Sequence, residues 1–294
     1  MSRDQLPSWR ETPAKQAIAE FVAAVTDPDS ADFVPAFERI AVFDNDGTLW
    51  TERPMYAQLA FALDRAAELG HPTSLDDLHA GGMPAPIELV KLTHAGISTG
   101  DFEQACRIWL ASARHPRFGR PYRALVYQPM LELLGLLDRH EFSCWIFSGG
   151  GTDFMRVFAS DVYGLPPHRV IGSVGATEFR DGPAGPELVK GEAIQVFNDG
   201  PQKPGSIHAH IGQRPILAAG NTDGDLAMLQ WTAASPHRTL PLVLQHTDAE
   251  REYAYDRDPI LGSGTGQLHA TATERNWTVI DMAAAWSAVY PPLR

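Results

Sequence analysis

Cysteine is scarce in this chain. The 294 residues include only Cys106 and Cys144, and neither belongs to a Cys-x-x-Cys pair or a Cys/His cluster, so we expect no structural zinc site. Cys144 lies in the apolar run 144–147, which is typical of a buried, unreactive thiol. Nothing in this cysteine usage calls for an oxidising compartment.

Positive charge is also in short supply. The chain has 24 Lys and Arg residues against 36 Asp and Glu residues, a net charge of −12 at pH 7. Nucleic acids and anionic membrane surfaces bind proteins that present a basic face, so we expect neither as the main partner. A small anionic substrate stays compatible with this charge, because a metal ion and one lysine can reverse the local sign of the potential.

Long hydrophobic runs are missing as well. No apolar run reaches 18 residues, so no transmembrane helix is expected. The N-terminus has no basic stretch followed by an apolar one, which is the pattern of a signal peptide. We expect a cytoplasmic protein, and a secreted or periplasmic one stays open if a signal has been removed. The sequence does not indicate an oligomeric state.

Short apolar segments alternate with amphipathic ones along most of the chain. A helix is predicted after Thr12-Pro13, where a cap residue precedes proline at the first helical position. Residues 52–127 read as mostly helical and contain no pattern of a buried strand. Alternating strands and helices elsewhere predict an α/β fold with a mostly parallel sheet covered by helices on both faces. The predicted strands are 39–43, 142–147, 215–219 and 240–244, with a strand and hairpin over 169–189.

Two carboxylates follow the first predicted strand. Asp44 and Asp46 stand one residue apart, and Gly47 permits the turn that brings both to one point. Asp44 could attack a phosphoryl group as a carboxylate, while Asp46 protonates the leaving alcohol and then deprotonates water. The alternative is an ordinary turn at the end of a strand, because Asp-Gly is common turn chemistry.

A glycine-rich segment follows the strand 142–147. Ser148, Gly149 and Gly150 precede a predicted helix, so the serine hydroxyl and free N–H groups of this loop could hold a phosphate. A flexible loop before a helix is an equal alternative for this motif by itself.

Polar residues also follow the strand 215–219. Asn221 and Asp225 carry oxygen atoms of the kind that Mg²⁺ prefers, with Asp44 and the main-chain carbonyl of Asp46 as further ligands. Asp223 is a weaker candidate ligand. The alternative is a solvated acidic turn.

A lysine is needed to hold the negative charges of nucleophile and phosphate together. Lys203 and Lys190 are the candidates, and we favour Lys203 because it lies at the start of a predicted helix, just before Pro204. For either lysine alone, a surface position is the more common outcome.

Taken together, these motifs resemble the haloacid dehalogenase superfamily, and within it the phosphoserine-phosphatase-like branch. The resemblance rests on four motifs in order, at 44–49, 147–150, Lys203 and 220–225. It implies a Rossmann-like three-layer core, a Mg²⁺ cofactor and an aspartyl-phosphate intermediate, and it adds Thr48 to the substrate-binding residues. Asn221 departs from the aspartate that is common in the fourth motif. Glu52 and Arg53 lie near the positions of the cap residues that hold phosphoserine, but not in a clear register.

The resemblance also implies a division of the chain. Residues 1–51 and 128–294 would form the core, and residues 52–127 a helical cap that closes over the substrate. We expect a phosphohydrolase acting on a small phosphate monoester; a phosphotransferase or phosphomutase, or a silent protein that binds a phosphorylated ligand, are the alternatives. The charged segment 248–253 matches no motif and is expected to be solvated surface.

Overall fold

The structure is a computed structural model that describes residues 5–81, 84–183, 185–255 and 266–292. The helices are α1 (Pro13–Thr26), α2 (Ala57–Glu68), α3 (Leu75–Gly81), α4 (Pro84–His94), α5 (Thr99–Ser112), α6 (Gln128–Arg139), α7 (Thr152–Tyr163), α8 (Gln202–Ile211), α9 (Leu226–Ala233), α10 (Gln267–Glu274) and α11 (Met282–Ala285). The strands are β1 (Ile40–Phe43), β2 (Ser143–Gly151), β3 (Val170–Gly182), β4 (Gly185–Val196), β5 (Leu217–Gly220), β6 (Leu240–Thr247), β7 (Ala254–Tyr255) and β8 (Thr278–Asp281).

The strands form one sheet in the order β4-β3-β2-β1-β5-β6-β7, with β8 also paired to β6. The contacts β3-β2, β2-β1, β1-β5, β5-β6 and β6-β8 are parallel. Among the strands that the structure describes, only β4 and β7 run antiparallel to their neighbours. The predicted α/β fold with a mostly parallel sheet is therefore confirmed.

Helices cover both faces of the sheet, and β1 shows why its sequence is continuously apolar. Its alternate residues Ala41 and Phe43 join a large hydrophobic cluster that includes α1, α6 and α7. Ile40 and Val42 join a second cluster with residues of α8, α9 and α10. Successive side chains of a strand point to opposite faces, so a strand between two cores needs apolar residues at every position.

The start of α1 is as predicted. Thr12 has an extended backbone, and its side chain accepts a hydrogen bond from the Lys15 amide, while Pro13 occupies the first turn. Helix α5 begins in the same way, with the Ser98 side chain accepting from the Asp101 amide. Both boundaries depend on residues within one turn of each other, which is why local sequence indicates them.

Some boundaries differ from the predicted ones. Strand β2 continues through the glycines to Gly151, because Gly151 pairs with Ser173 of β3 after an irregularity in the register. The hairpin β3–β4 is longer than predicted and includes Lys190. Helix α8 begins at Gln202, so Lys203 lies inside its first turn.

The segment between β1 and α6 is helical, with α2 to α5 and no strand among its described residues. Part of it has a small hydrophobic cluster of its own, formed by Leu59, Ala62, Ala66, Leu78 and Leu89. The β3–β4 hairpin reaches this segment, since Lys190 exchanges main-chain hydrogen bonds of 2.8 and 2.9 Å with Gly96 and Ile97. The division at residues 52 and 127 stays a prediction. No helix among the described residues is long and apolar enough to cross a membrane.

Candidate active site

The sheet order brings the carboxyl ends of β2, β1 and β5 together. Phe43 pairs with Ile146 of β2 on one side and with Ala219 of β5 on the other. The Asp44 amide then donates to the Ala219 carbonyl at 2.9 Å, which holds the residue after β1 against the end of β5. Residues 44, 148 and 221 therefore meet at one edge of the sheet, where parallel α/β sheets bind ligands.

Lys203 lies against the nucleophile candidate. Its Nζ donates to Asp44 Oδ1 at 2.8 Å and to Asp225 Oδ1 at 2.6 Å, and the residue is 1% exposed. Lys190 lies elsewhere, paired with Asp153 and above the ring of Phe102. Of the two lysines that the sequence leaves open, Lys203 is the one in contact with Asp44.

The pKa values of Asp44 and Asp46 are both raised. Burial raises the pKa of Asp44 to about 8, with Asp225 adding to the effect and Lys203 opposing it. Burial raises the pKa of Asp46 to about 6, against opposing contributions from Asn45 and Lys203. Burial lowers the pKa of Lys203, but Asp225, Asp44 and Asp199 outweigh it and hold that pKa above its ordinary value. An acid with a pKa nearer neutrality is suited to giving and taking a proton.

The glycine-rich segment is close to these carboxylates. A Cβ atom on Gly150 would lie 3.3 Å from Asp46 Oδ2. The sequence suggested that the N–H groups of this segment are free, but two of them have partners. Gly150 N–H donates to Ser148 Oγ at 3.1 Å, and Gly151 N–H donates to Gln58 Oε1 at 2.7 Å. Gln58 belongs to α2, so a helix distant in sequence supplies a partner that local patterns do not reveal.

The three polar side chains that follow β5 have different hydrogen-bond partners. Asn221 Oδ1 accepts from Thr48 Oγ1 at 3.1 Å, which places its amide oxygen beside the Asp44–Gly47 turn. Asp225 is fully buried, with Oδ1 on Lys203 and Oδ2 accepting from the Asn221 and Thr222 amides at 2.9 and 3.0 Å. Asp223 Oδ1 accepts from the Leu268 amide at 2.7 Å, at the start of α10.

These oxygens suit a magnesium ion better than a transition metal. Within the described residues, no group of three or more His, Cys, Asp and Glu side chains is arranged to hold a cation. Asn221 contributes an amide oxygen that lies against Thr48. Together with a carboxylate of Asp44 and a main-chain oxygen, it makes a set of hard oxygen donors with little negative charge. Mg²⁺ tolerates such a set because it keeps several waters.

The segment 246–255 contacts the turn that contains Gly47, which the sequence did not predict. Glu252 has no exposed surface and Asp248 is 5% exposed, so the prediction of a solvated surface for 248–253 is wrong there. His246 Nε2 donates to the Gly47 carbonyl at 2.8 Å, and its other ring nitrogen lies 3.4 Å from Glu252 Oε2. Thr51 Oγ1 donates to Glu252 Oε1 at 2.8 Å. No local signal reveals this contact, because about 200 residues separate the partners.

Glu52 and Trp50 are also placed by the structure. Glu52 is 2% exposed, and its Oε1 accepts from Asn221 Nδ2 at 2.9 Å and from the Tyr255 hydroxyl at 2.7 Å. The guanidinium of Arg53 lies 4.3 Å from the centre of the Tyr255 ring. Trp50 is buried, donates to the Tyr122 carbonyl at 2.8 Å and packs on Phe158, so it is a packing residue.

Solved structures share this fold. A conserved protein of unknown function from Anaerococcus prevotii DSM 20548 aligns with a TM-score of 0.61 and 14% identity, over 95% of this chain and 94% of its own. A protein of unknown function from Bordetella pertussis Tohama I aligns with a TM-score of 0.52 and 16% identity, over 83% and 98%. At these identities the likeness supports the fold alone. No match was found among curated proteins.

The family is established by sequence. The family model of haloacid dehalogenase-like hydrolases matches residues 41–230. That range is more than half of the 294 residues and spans Asp44, Ser148, Lys203 and Asn221. The narrower resemblance to phosphoserine phosphatases stays at the level of the sequence motifs. The chain belongs to the haloacid dehalogenase-like hydrolase family.

Proposed function

We propose that this hydrolase cleaves small phosphate monoesters in a Mg²⁺-dependent reaction through an aspartyl-phosphate on Asp44. The observation that carries the proposal is the contact of Lys203 Nζ with Asp44 Oδ1 at 2.8 Å, beside Asp46 with its raised pKa. Burial and Asp225 raise the pKa of Asp44, whereas Lys203 lowers it, so the ammonium favours the ionised form in which Asp44 can attack. The neighbouring acid Asp46 can release a proton.

The first half-reaction transfers the phosphoryl group to the enzyme. A carboxylate oxygen of Asp44 forms a bond to phosphorus, the bond from phosphorus to the alcohol oxygen breaks, and Asp46 gives its proton to that oxygen. In the second half, Asp46 takes a proton from water, whose oxygen bonds to phosphorus as the bond to Asp44 breaks. Phosphate leaves and both carboxyl groups return to their starting states.

Other residues bind and orient the phosphoryl group. The Ser148 hydroxyl accepts from Gly150 N–H and keeps a hydrogen that it can donate to a phosphate oxygen. Gly149 and Gly150 allow the phosphate to approach the main chain beside Asp46. Asp44, the Asp46 carbonyl and Asn221 would hold Mg²⁺, and Asp225 positions Lys203. When bound, Mg²⁺ supplies positive charge for the phosphoryl oxygens.

Phosphate release from a panel of phosphate monoesters, with and without Mg²⁺, tests this proposal. We expect Mg²⁺-dependent turnover that falls to the uncatalysed background in Asp44→Asn, because an amide cannot form the aspartyl-phosphate. Asp223→Asn is the matched control, since Asp223 faces the Leu268 amide and an amide oxygen can still accept that hydrogen bond. Full activity of Asp44→Asn, or none in the wild type on any ester, would contradict the proposal.

A further inference from the structure

Asn221 stands where a carboxylate would give a cation site one more negative charge. Its amide is oriented by two contacts: Nδ2 donates to Glu52 Oε1 at 2.9 Å, and Oδ1 accepts from Thr48 Oγ1 at 3.1 Å. An ionised Glu52 carboxylate accepts hydrogen bonds and cannot donate them, so the NH2 end of the Asn221 amide faces it. The oxygen of Asn221 is thereby turned to the hydroxyl of Thr48, four residues after Asp44.

Glu52 and Asn221 are packed against Gly47, in the turn that contains Asp44 and Asp46. Both are buried, at 2% and 7% exposed. Gly47 has a φ of +75°, and a Cβ on it would lie 2.1 Å from Asn221 Nδ2 and 2.6 Å from Glu52 Oε1. The same Oε1 accepts from the Tyr255 hydroxyl at 2.7 Å, so the C-terminal segment holds Glu52 from the other side. Burying a carboxylate costs free energy. A buried carboxylate this close to the site attracts any cation that the site holds.

We propose that Glu52 is a positioning residue that makes Asn221 an effective cation ligand and supplies, from one hydrogen bond away, the negative charge that an aspartate at position 221 would carry. The inference rests on the proposed function, since it assumes a cation held by Asp44 and Asn221. Groups that orient a metal ligand and raise its electron density change metal affinity by about 10–100-fold when they are removed.

A charge exchange tests this inference. Glu52→Gln keeps an oxygen that can accept from Asn221 and replaces the charged carboxylate by a neutral amide of the same shape. The double variant Glu52→Gln/Asn221→Asp returns the charge as a direct ligand. Isothermal titration of the metal-free proteins with MgCl₂, without substrate, measures the dissociation constant of Mg²⁺. Glu274→Gln is the control, because Glu274 is an exposed residue at the end of α10.

The expected result is a dissociation constant at least about tenfold weaker in Glu52→Gln, unchanged in Glu274→Gln, and restored in the double variant. A purely structural role for Glu52 would not be repaired by adding a charge at position 221. Equal Mg²⁺ binding by wild type and Glu52→Gln, or no recovery in the double variant, overturns the inference.

Asn221→Asp alone gives a reading that does not depend on Glu52→Gln folding. It places two carboxylates in contact, so we expect a lower melting temperature without metal and a larger rise with Mg²⁺ than in the wild type. An unchanged metal-free melting temperature counts against the inference. If the wild type releases phosphate with Mg²⁺ but Glu52 proves irrelevant to binding, only the inference fails; if the wild type binds no Mg²⁺, the proposed function fails as well.

Discussion

At the scale of single residues, Lys203 is a buried cation that forms two ion pairs. It is the cation between two buried carboxylates, Asp44 and Asp225, and each contact is a hydrogen bond of 2.8 Å or less. Removing one partner from such a group leaves the others buried with uncompensated charge, which costs more than the pair itself contributes. The lysine therefore holds Asp44, the proposed nucleophile, in place and compensates the charge that is buried in that region of the core.

Lys203→Met should lower the free energy of unfolding at pH 7 by about 3–5 kcal/mol and reduce phosphate release to near background. Lys190→Met is the matched control, because its partner Asp153 is 41% exposed on its side chain and can return to water. We expect a smaller loss of stability for Lys190→Met and a kcat within about tenfold of wild type. Urea unfolding and phosphate release measure both effects, and an inactive Lys190→Met with an active Lys203→Met would reverse the assignment.

At the scale of elements, the end of β6 and the segment after it contact the turn at residues 44–47 and Thr51 beyond it. His246 reaches the Gly47 carbonyl, and Glu252 receives hydrogen bonds from Thr51 and the Tyr253 amide. Burial alone would raise the pKa of Glu252, but His246, the Tyr253 amide and Thr51 outweigh it and hold that pKa below its usual value. The folded state therefore favours the ionised form of Glu252.

Glu252→Gln should destabilise the protein at pH 7 by about 1–3 kcal/mol, the range for hydrogen bonds to a buried charged group. A depressed pKa contributes stability that is present above the unfolded value, near 4.5, and is lost as the pH falls through the folded value. The stability difference between wild type and variant should therefore narrow below pH 4.5. Urea unfolding at pH 7 and pH 4 tests this, with the exposed Glu250→Gln as control; a gap that widens towards low pH would contradict it.

At the scale of the whole molecule, residues near both ends of the described chain pack into the same hydrophobic core. Trp9 is 3% exposed, packs edge-on against Trp286 at 6.0 Å between ring centres, and donates from Nε1 to the Pro129 carbonyl at 2.9 Å. The Arg10 amide donates to the Ala285 carbonyl at 2.8 Å. The segment before α1 is thereby joined to α6 and to the end of α11, on one face of the sheet.

Trp9→Ala should lower the free energy of unfolding by about 3–5 kcal/mol, because it removes a buried aromatic side chain and leaves a cavity. Phe37→Ala is the control, since Phe37 is 74% exposed and its loss should change stability by about 0.5 kcal/mol or less. Chemical denaturation of both variants measures the difference. Equal stability of the two would show that the ends of the chain do not share the core.

Much of the fold could be read from local patterns. The cap at Thr12 and the continuously apolar β1 involve residues that are neighbours in sequence, and both are confirmed. The extent of β2 could not be read in this way, because its last residue is held by pairing with Ser173 of β3. The burial of Glu252 was also out of reach, since a charged segment resembles solvated surface until its partners are known.

Local sequence is sufficient to show which functional groups follow the strands. A short apolar strand followed by Asp44 and Asp46 is a local pattern, as are the groups around Ser148 and Asn221. Which of these side chains contact one another depends on the packing of the whole chain. This packing placed Lys203 rather than Lys190 on Asp44, turned Asn221 towards Thr48 and Asp225 towards Lys203, and brought Glu52 and His246 beneath the turn. The reason is that these contacts depend on the order of strands in the sheet, which brings together residues that lie up to about 200 positions apart in the chain.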